Sequence, residues 1–564
     1  MTVPRFLVVL LVLSALAASG LNAQEPRQGA KEPAFGDEVM VSSSHPAVNE
    51  AALEVLENGG NAVDAMIAAV LLQPVVEPHM STIAGGVGAL VYSADADELT
   101  YLDGELNLTR ERPGGSETTS GNRIGVPGTV RGLEAAAERY GTMEWADYLE
   151  PAIQAAEEGF TMYSFLYAEM MSARARLAAH PESREIWMPD GVTPEVGETF
   201  RQPELARTLE SLAEEGPDHF YTGEWAERFV EKVNDTGGRM SAEELEAYEA
   251  QWAKPVEFDY RGTRIAGAPP ASNAGLLVGM ILNILEDFDL EDVGHYTESA
   301  EAIVLLRQAY DQALSHVARF VGHPEAFDTP VDELLAQEYA DQLAALIKGS
   351  GPTVDLRADE ARRDDDARYD ASESRSRSSA AEADTDTNHL VIVDADGNWV
   401  SATHTVYGST FATGLTVGGV GVNSGNGFSG TRTAEGQGRR VITPFPATMA
   451  LDDAGEPWLA LGSPGMSSRA VAMTLINMLG YGMDLHEAID TPRFQGYAPD
   501  EAVQAEAGIE REALDELGAF GISYDITGVY DWGMGSMHGV ARDPETGELT
   551  GVADPRRTGH ADGW

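Results

Sequence analysis

Residues 349–386 divide this chain. Their central text, DLRADEARRDDDARYDASESRSRSSAAEADTD, is charged, serine-rich and almost free of large apolar side chains. Burial cannot offset the entropy of ordering such a stretch, so it is expected to be a flexible linker. The text that follows at once, NHLVIVDADGNWVSATHTV, has the form of a hairpin, two apolar strands around Asp396-Gly397. Any fold must therefore begin a buried strand directly after a solvated segment, at Thr387.

The chain before the linker reads differently. AALEVLENGGNAVDAMIAAVLLQPVVEP carries apolar residues at helical spacing, with Gly59-Gly60 as a stop and Asn61 as a cap for the next helix. ALVYSADADELTYLD reads as a hairpin around an Asp-containing turn. From Ala135 to about Leu346 the pattern is mainly helical, interrupted by Tyr260-Arg261-Gly262 and the strand-like TRIAGAPP. No internal repeat is evident.

With 564 residues, 43% of them hydrophobic, a large core is affordable. At the start, Arg5 precedes the apolar stretch 6–18 and Leu21-Asn22-Ala23, the layout of a secretory signal over residues 1–23, an uncleaved anchor being the alternative. No later segment is apolar enough to span a bilayer. The chain has no cysteine, which excludes disulfides, thiolate metal sites and a lipidated N-terminal cysteine. A secreted or periplasmic protein is expected. Acidic residues number 92 against 37 basic ones, for a formal net charge of −55, and Lys31, Lys232, Lys254 and Lys348 are the lysines. That field repels nucleic acid and anionic membranes, and its dispersal along the chain fits a halophilic habitat. No nucleic-acid partner is expected, and no membrane partner once the signal is removed.

The junction at Thr387 has a chemical use. If the peptide bond before it breaks, a hydroxyl and a free α-amine lie side by side at a strand start. Such an amine titrates near ~8 and can serve as the base that activates the hydroxyl. The alternative is a linker that joins two domains and does nothing more.

Several blocks weigh on that choice. NAVDAMIAAVLLQPVVEPHMSTIAGGVGALVY, GVPGTVRGLE, LEPAIQAAEEGF, APPASNAGLL, LGSPGMSSR, DTPRF, MGSMHGV and ADPRRTG follow one another from Asn61 to Gly559. In their order and spacing they resemble the γ-glutamyltransferase (gamma-glutamyltranspeptidase) family of N-terminal nucleophile hydrolases. The resemblance implies an α+β, four-layer αββα sandwich built from two autoprocessed subunits, a large one over 24–386 and a small catalytic one over 387–564, each the other's partner. It implies no cofactor and a small-molecule amide or peptide as substrate. The family's small subunit begins Thr-Thr-His or similar, followed by a strand and an Asp-x-x-Gly-Asn turn. Here Thr387-Asn388-His389 leads to Asp394 and Asp396-Gly397-Asn398, a spacing that favours Thr387 over nearby Thr385 as nucleophile. Thr405 matches the second threonine that contacts the nucleophile, an ordinary strand threonine being the other reading. Gly465 and Met466 match the paired glycines whose backbone N–H groups form the oxyanion hole; a methionine keeps the donor, while its bulk narrows the pocket.

The substrate ligands depart from the family pattern. The carboxylate-binding arginine follows a Leu-Asp-x stretch, yet Leu102-Asp103-Gly104 is followed by Glu105, which repels a substrate carboxylate; an insertion would instead bring Arg110-Glu111 into register. The Asn-Asn-x-Met-Asp-Asp-Phe segment, whose acid holds the substrate ammonium, appears as Asn423-Ser424-Gly425-Asn426-Gly427-Phe428, without the acid. Thr443-Pro444 stands for the serine pair that assists the carboxylate, and Tyr407 for a common asparagine. Arg110, Tyr407, Asn426 and Thr443 are thus the candidate substrate ligands. These changes resemble those of a divergent branch that includes cephalosporin-acylase-like proteins. Three functions follow: a hydrolase or transpeptidase of γ-glutamyl amides such as glutathione, an acylase for a non-glutamyl (glutaryl-type) amide, and an unprocessed binding protein without turnover.

Other candidates read as structural. His79, His389, His404 and His538 lack metal-ligand spacing, so no metal site is expected. Ser463 in GSPG lacks the nucleophile-elbow pattern, and Gly85-Gly86-Val87-Gly88 lacks the lysine of a phosphate loop.

Overall fold

The computed structural model describes residues 26–111, 119–324, 328–350, 386–427, 437–496, 498 and 501–564. The expected signal 1–23, Thr385, Phe428 and all but the edges of the linker lie outside them.

Two antiparallel sheets of seven strands carry the fold. In chain order their strands are β1 (Ala34–Gly36), β2 (Met40–Ser43), β3 (Gly86–Ser93), β4 (Glu98–Gly104), β5 (Gln251–Ala253), β6 (Val256–Tyr260), β7 (Thr263–Gly267), β8 (Asn388–Val393), β9 (Trp399–Thr405), β10 (Thr448–Leu451), β11 (Pro457–Gly462), β12 (His538–Arg542), β13 (Leu549–Ala553) and β14 (His560–Gly563). One sheet runs β14-β2-β8-β9-β3-β4-β5 and the other β1-β13-β12-β11-β10-β7-β6.

These strands are covered on both faces, so they appear in sequence as near-continuous apolar runs, and alternation still sorts their side chains. Leu390 and Ile392 of β8, Val400 and Ala402 of β9, and Val87, Ala89 and Val91 of β3 enter one core with the helices α1 (Pro46–Glu57), α2 (Ala62–Val76), α3 (Thr129–Tyr140), α4 (Trp145–Glu158) and α5 (Pro203–Glu215). Val391, Val393, Trp399, Leu90 and Tyr92 point the other way, against Met449 and Leu451 of β10, Ala460 of β11 and Val540 of β12. Ala450, Leu459 and Leu461 enter a third core with α6 (Ala274–Glu286), α7 (Ala300–Phe320), α8 (Gln337–Ser350) and α9 (Ser467–Leu475). Helix, sheet, sheet, helix is the αββα order expected from the resemblance.

Local signals behaved as expected at α1 and α2. Gly59 is left-handed (φ 90°), and Asn61 caps α2 through a capping box with Asp64. The β3–β4 turn uses Asp97 at φ 47° and the β8–β9 turn Gly397 at φ 84°. One boundary moves: α8 continues through Ser350, so the expected linker start at Gly349 is helical. Leu343, Ala344 and Ile347 pack that helix into the third core, and composition does not register where such a helix stops.

Candidate active site

Alternation fixes the first feature of the site. In β8 and β9 the odd-numbered side chains face the opposite sheet, and Asn388 pairs with His404. Thr387 and Thr405 therefore meet between the sheets, at the open end of a central hairpin, with their hydroxyl oxygens 3.0 Å apart. Just below them, His389 bonds Thr403 at 2.8 Å and Ser401 at 3.1 Å, and Ser401 donates to the Leu461 carbonyl of β11 at 3.2 Å. That ladder pins the two sheets together directly under Thr387.

Asp386, the residue before Thr387, is buried. Thr405 donates its proton to the Asp386 carbonyl oxygen at 2.6 Å. Its oxygen then accepts from Thr387 Oγ1 and from the Tyr407 amide at 3.0 Å. Thr387 Oγ1 also contacts that Asp386 carbonyl oxygen. The Asp386 carbonyl oxygen thus lies against both threonine hydroxyls, one of which polarises it as a donor.

The second sheet brings a turn beside this strand. A Cβ on Gly462, at the end of β11, would lie 2.2 Å from the His389 ring, two residues past Thr387, so the turn 463–466 leaves that sheet beside the nucleophile strand. Gly465 (φ 65°) and Met466 (φ 42°) are both left-handed and lead into α9, where the Met466 carbonyl accepts from the amides of Arg469 at 2.8 Å and Ala470 at 3.2 Å. The Met466 side chain is buried in the third core, under the turn. Ser463 acts within the turn, donating to the Gly465 carbonyl at 3.1 Å and accepting from Ser536 N at 3.1 Å.

A fully buried acid lies on the same flank. The Glu105 carboxylate accepts from Thr443 Oγ1 and, at 3.1 Å, from the Tyr101 hydroxyl. Burial first, then the charge of Asp103, lifts its pKa to about 8. Arg440 sits nearby, but Asp103 holds its Nε at 3.0 Å and the Glu105 and Glu249 carbonyls accept from its other nitrogens. Tyr407, left-handed at φ 60°, stacks on Phe445 with ring centroids 6.0 Å apart. A Cβ on Gly86, the strand partner of Thr405, would meet the Tyr407 hydroxyl at 2.5 Å and the Glu105 backbone at 3.0 Å. Ser467 closes the flank by donating to the Pro444 carbonyl. Thr387, Thr405, Tyr407, Thr443 and the 465–466 turn are therefore joined through consecutive contacts.

Asn426 and Arg110 behave otherwise. The Asn426 side chain accepts from Thr109 N at 3.2 Å and donates to Thr109 Oγ1 and the Ile124 carbonyl, both at 2.8 Å. Its polar atoms hold two loops together. Arg110 is exposed, its own amide bonded to Glu244 at 2.5 Å.

Sequence reasoning missed Arg557, although it quoted ADPRRTG. This buried arginine donates from Nη1 to the Thr387 carbonyl at 2.9 Å, and burial lowers its pKa to about 10. Behind it, Gln73 bonds Glu77 at 2.8 Å and His404 at 2.6 Å, and burial raises Glu77 to about 7. The signal available was a second arginine in a run otherwise made of turn residues.

The chain matches the protein family described as Gamma-glutamyltranspeptidase over residues 48–564. It is 30% identical over 581 residues to a glutathione hydrolase proenzyme of Escherichia coli (strain K12), spanning 96% of this chain and 95% of that one. It is 28% identical over 554 residues to the Acylase ACY 1 proenzyme of Pseudomonas sp. (strain SE83), spanning 94% of each. The crystal structure of cephalosporin acylase from Bacillus halodurans superposes with a TM-score of 0.80 at 25% identity, covering 96% of this chain and 98% of that one.

Proposed function

As a member of the gamma-glutamyltranspeptidase family, this chain is an enzyme of the hydrolase and acyltransferase type, and we propose that it cuts itself between Asp386 and Thr387 and then works through the freed threonine. In the cut, Thr387 Oγ1 attacks the Asp386 carbonyl carbon. The C–O bond forms, the C–N bond breaks, and the hydroxyl proton ends on the nitrogen, leaving an ester and a free amine. Water then hydrolyses the ester and restores the hydroxyl. The observation that carries this reading is the Asp386 carbonyl shared by the Thr405 and Thr387 hydroxyls.

In turnover the same oxygen attacks a substrate amide. The α-amine takes the hydroxyl proton and delivers it to the leaving amine. Backbone N–H groups of Gly465 and Met466 hold the oxyanion, and water or an acceptor amine releases the acyl group. The donors are γ-glutamyl amides such as glutathione, with Arg110, Tyr407, Asn426 and Thr443 as candidate ligands.

A second reading, an acylase for glutaryl-type amides, draws on one observation: Thr443 is bonded to the buried carboxyl of Glu105, and Asn426 is occupied by the protein's own loops. Neither arrangement supplies an anion for a substrate ammonium. Export by the leader is part of the proposal. Among the described residues no helix is long and apolar enough to cross a membrane.

The test is the intact mass of exported wild type beside Thr387→Ala, both in high salt. Two fragments from the wild type, the smaller starting at Thr387, with an uncut variant, are expected. One uncut chain in both would overturn the reading in favour of a binding protein without turnover.

A further inference from the structure

We infer that residues 28–31 position the nucleophile, with Lys31 as the chief positioning residue: they hold the turn 554–557 so that Arg557 keeps the Thr387 carbonyl in place. The inference rests on the proposed role of Thr387. Residues 554–557 form a buried turn just past β13. A turn has no ladder to satisfy its carbonyls, and buried carbonyls need donors.

One segment supplies donors to all four. Lys31 Nζ donates to the carbonyls of Asp554 and Arg557, each at 2.5 Å. Gly29 N donates to that of Pro555 at 2.8 Å and Gln28 Nε2 to that of Arg556 at 2.9 Å. This strap leads into β1, which pairs with β13 from Ala34 opposite Gly551, so it runs antiparallel to the turn as an irregular extension of that ladder. The His486 ring, on the helix Leu485–Asp490, bonds the Lys31 carbonyl at 2.9 Å and fixes the strap itself. Burial lowers Lys31 to about 8 against the pull of Asp554, so at neutral pH its ammonium is a charged and therefore stronger donor. Below the turn, Arg493 and Arg556 hold the Asp554 carboxylate at 2.7 and 3.1 Å. The turn's acid is thus fixed from within the chain after Thr387, and its backbone by residues 28–31.

From this turn Arg557 reaches the nucleophile through its 2.9 Å bond to the Thr387 carbonyl. That bond matters more once the chain is cut. Uncut, Thr387 is held through both of its peptide bonds; as a terminal residue it keeps the one to Asn388 alone. Its carbonyl is then the main-chain anchor nearest the hydroxyl and the amine, and Arg557 fixes it. The Thr405 hydroxyl, 3.0 Å from Thr387 Oγ1, orients that oxygen but leaves the backbone free to shift. Misplacing a reacting group by about 1 Å costs about 100-fold in rate. Turnover should therefore depend on the strap more than self-cleavage does.

The experiment compares wild type with Lys31→Met, which keeps the length and loses the donors, and with Lys31→Arg, all cut to completion. Turnover is read with γ-glutamyl- and glutaryl-p-nitroanilide and with p-nitrophenyl acetate, an activated ester that needs little acyl recognition. Lys31→Met should lower kcat about 10–100-fold with KM within about twofold, and slow self-cleavage by about threefold or less. Lys31→Arg should restore most of kcat. In an Arg557→Lys background Lys31→Met should cost nothing further, because the strap acts through that side chain. If Lys31→Met does not fold, Gln28→Ala carries the test, with kcat falling about threefold. Unchanged kcat, a rise in KM alone, lower stability with kcat per folded molecule intact, or an undiminished effect in Arg557→Lys would overturn the inference while the threonine hydrolase stands. A wild-type chain that never cuts overturns the proposed function, and this inference with it.

Discussion

Among single residues, the buried titratable groups make a prediction whose sign can be worked out. Burial lifts Glu105 to about 8 and Glu77 to about 7, so the folded chain binds more protons at these sites than the unfolded chain does, from the ordinary carboxylate range up to those values. Their contribution to stability is complete at low pH and is lost as pH rises through 7 to 8. Burial drops His45, His404 and His538 to about 3, so the folded chain binds fewer protons there, and that contribution is lost as pH falls below the ordinary imidazole value of 6.5. From these groups, stability should peak near pH ~6.5 and fall on either side. Glu105→Gln should flatten the alkaline limb, checked by urea denaturation between about pH 5 and 9. An unchanged slope would mean that the carboxyl ionises as readily folded as unfolded. Thr405→Val makes a kinetic prediction: with no hydroxyl on the Asp386 carbonyl, self-cleavage should slow by about 10²–10³-fold, followed by mass against time. The sequence singled out Thr387 by its place at the end of the linker and Thr405 by the resemblance to the family, and the hairpin register of the structure brings the two together. The sequence could not show that Asn426 faces a neighbouring loop or that Arg557 reaches the nucleophile, since both depend on distant chain segments.

Elements hold these residues in place through close backbone approach. A Cβ on Gly85 would stand 2.1 Å from the Thr405 carbonyl oxygen. Gly85→Ala must therefore push the end of β9 away from Thr387. It should cost about 1–3 kcal/mol and slow self-cleavage together, whereas a pure stability defect would leave the cutting rate of the folded fraction unchanged. The other end of the hairpin is held by Asp394. Its carboxylate accepts from the amides of Ala62, Asp396 and Asn398 at 2.8, 3.0 and 2.9 Å and from the Asn398 side chain at 2.8 Å. It ties the turn to the start of α2. Asp394→Ala leaves these donors buried or strained and should lower stability by about 3 kcal/mol, read as a shift in denaturation midpoint. The turn residues were visible in the sequence because Asp and Gly at those positions have local jobs. The bond to Ala62, 332 residues away, was not.

Across the whole molecule, strands from either side of the proposed cut are interleaved. In the first sheet β2 lies between β14 and β8, and β3 flanks β9; in the second, β1 flanks β13 and β7 flanks β10. Fragments 24–386 and 387–564 cannot part without breaking both sheets. They should elute together in native gel filtration after cutting and separate only in denaturant. Separate elution would contradict the interleaving. The net charge of −55 acts at the same scale. Salt screens its self-repulsion over about a Debye length, so the melting temperature should rise between about 0.05 and 2 M salt.

What the sequence determined by itself was whatever depends on near neighbours: apolar runs for strands covered on both faces, caps and turns at Asn61, Asp97 and Gly397, the abrupt start at Thr387, and the order of blocks that carries the family. Only the tertiary structure decided which flank each polar side chain serves. Glu105 and Thr443 share a proton-bearing contact, Asn426 fastens a loop, and Arg557 meets the carbonyl of Thr387. The reason is physical. Local order follows from steric and hydrogen-bonding preferences within a few residues. The partner of a buried charge is whichever opposite group packing brings within a few ångströms, and here those partners lie up to hundreds of residues away.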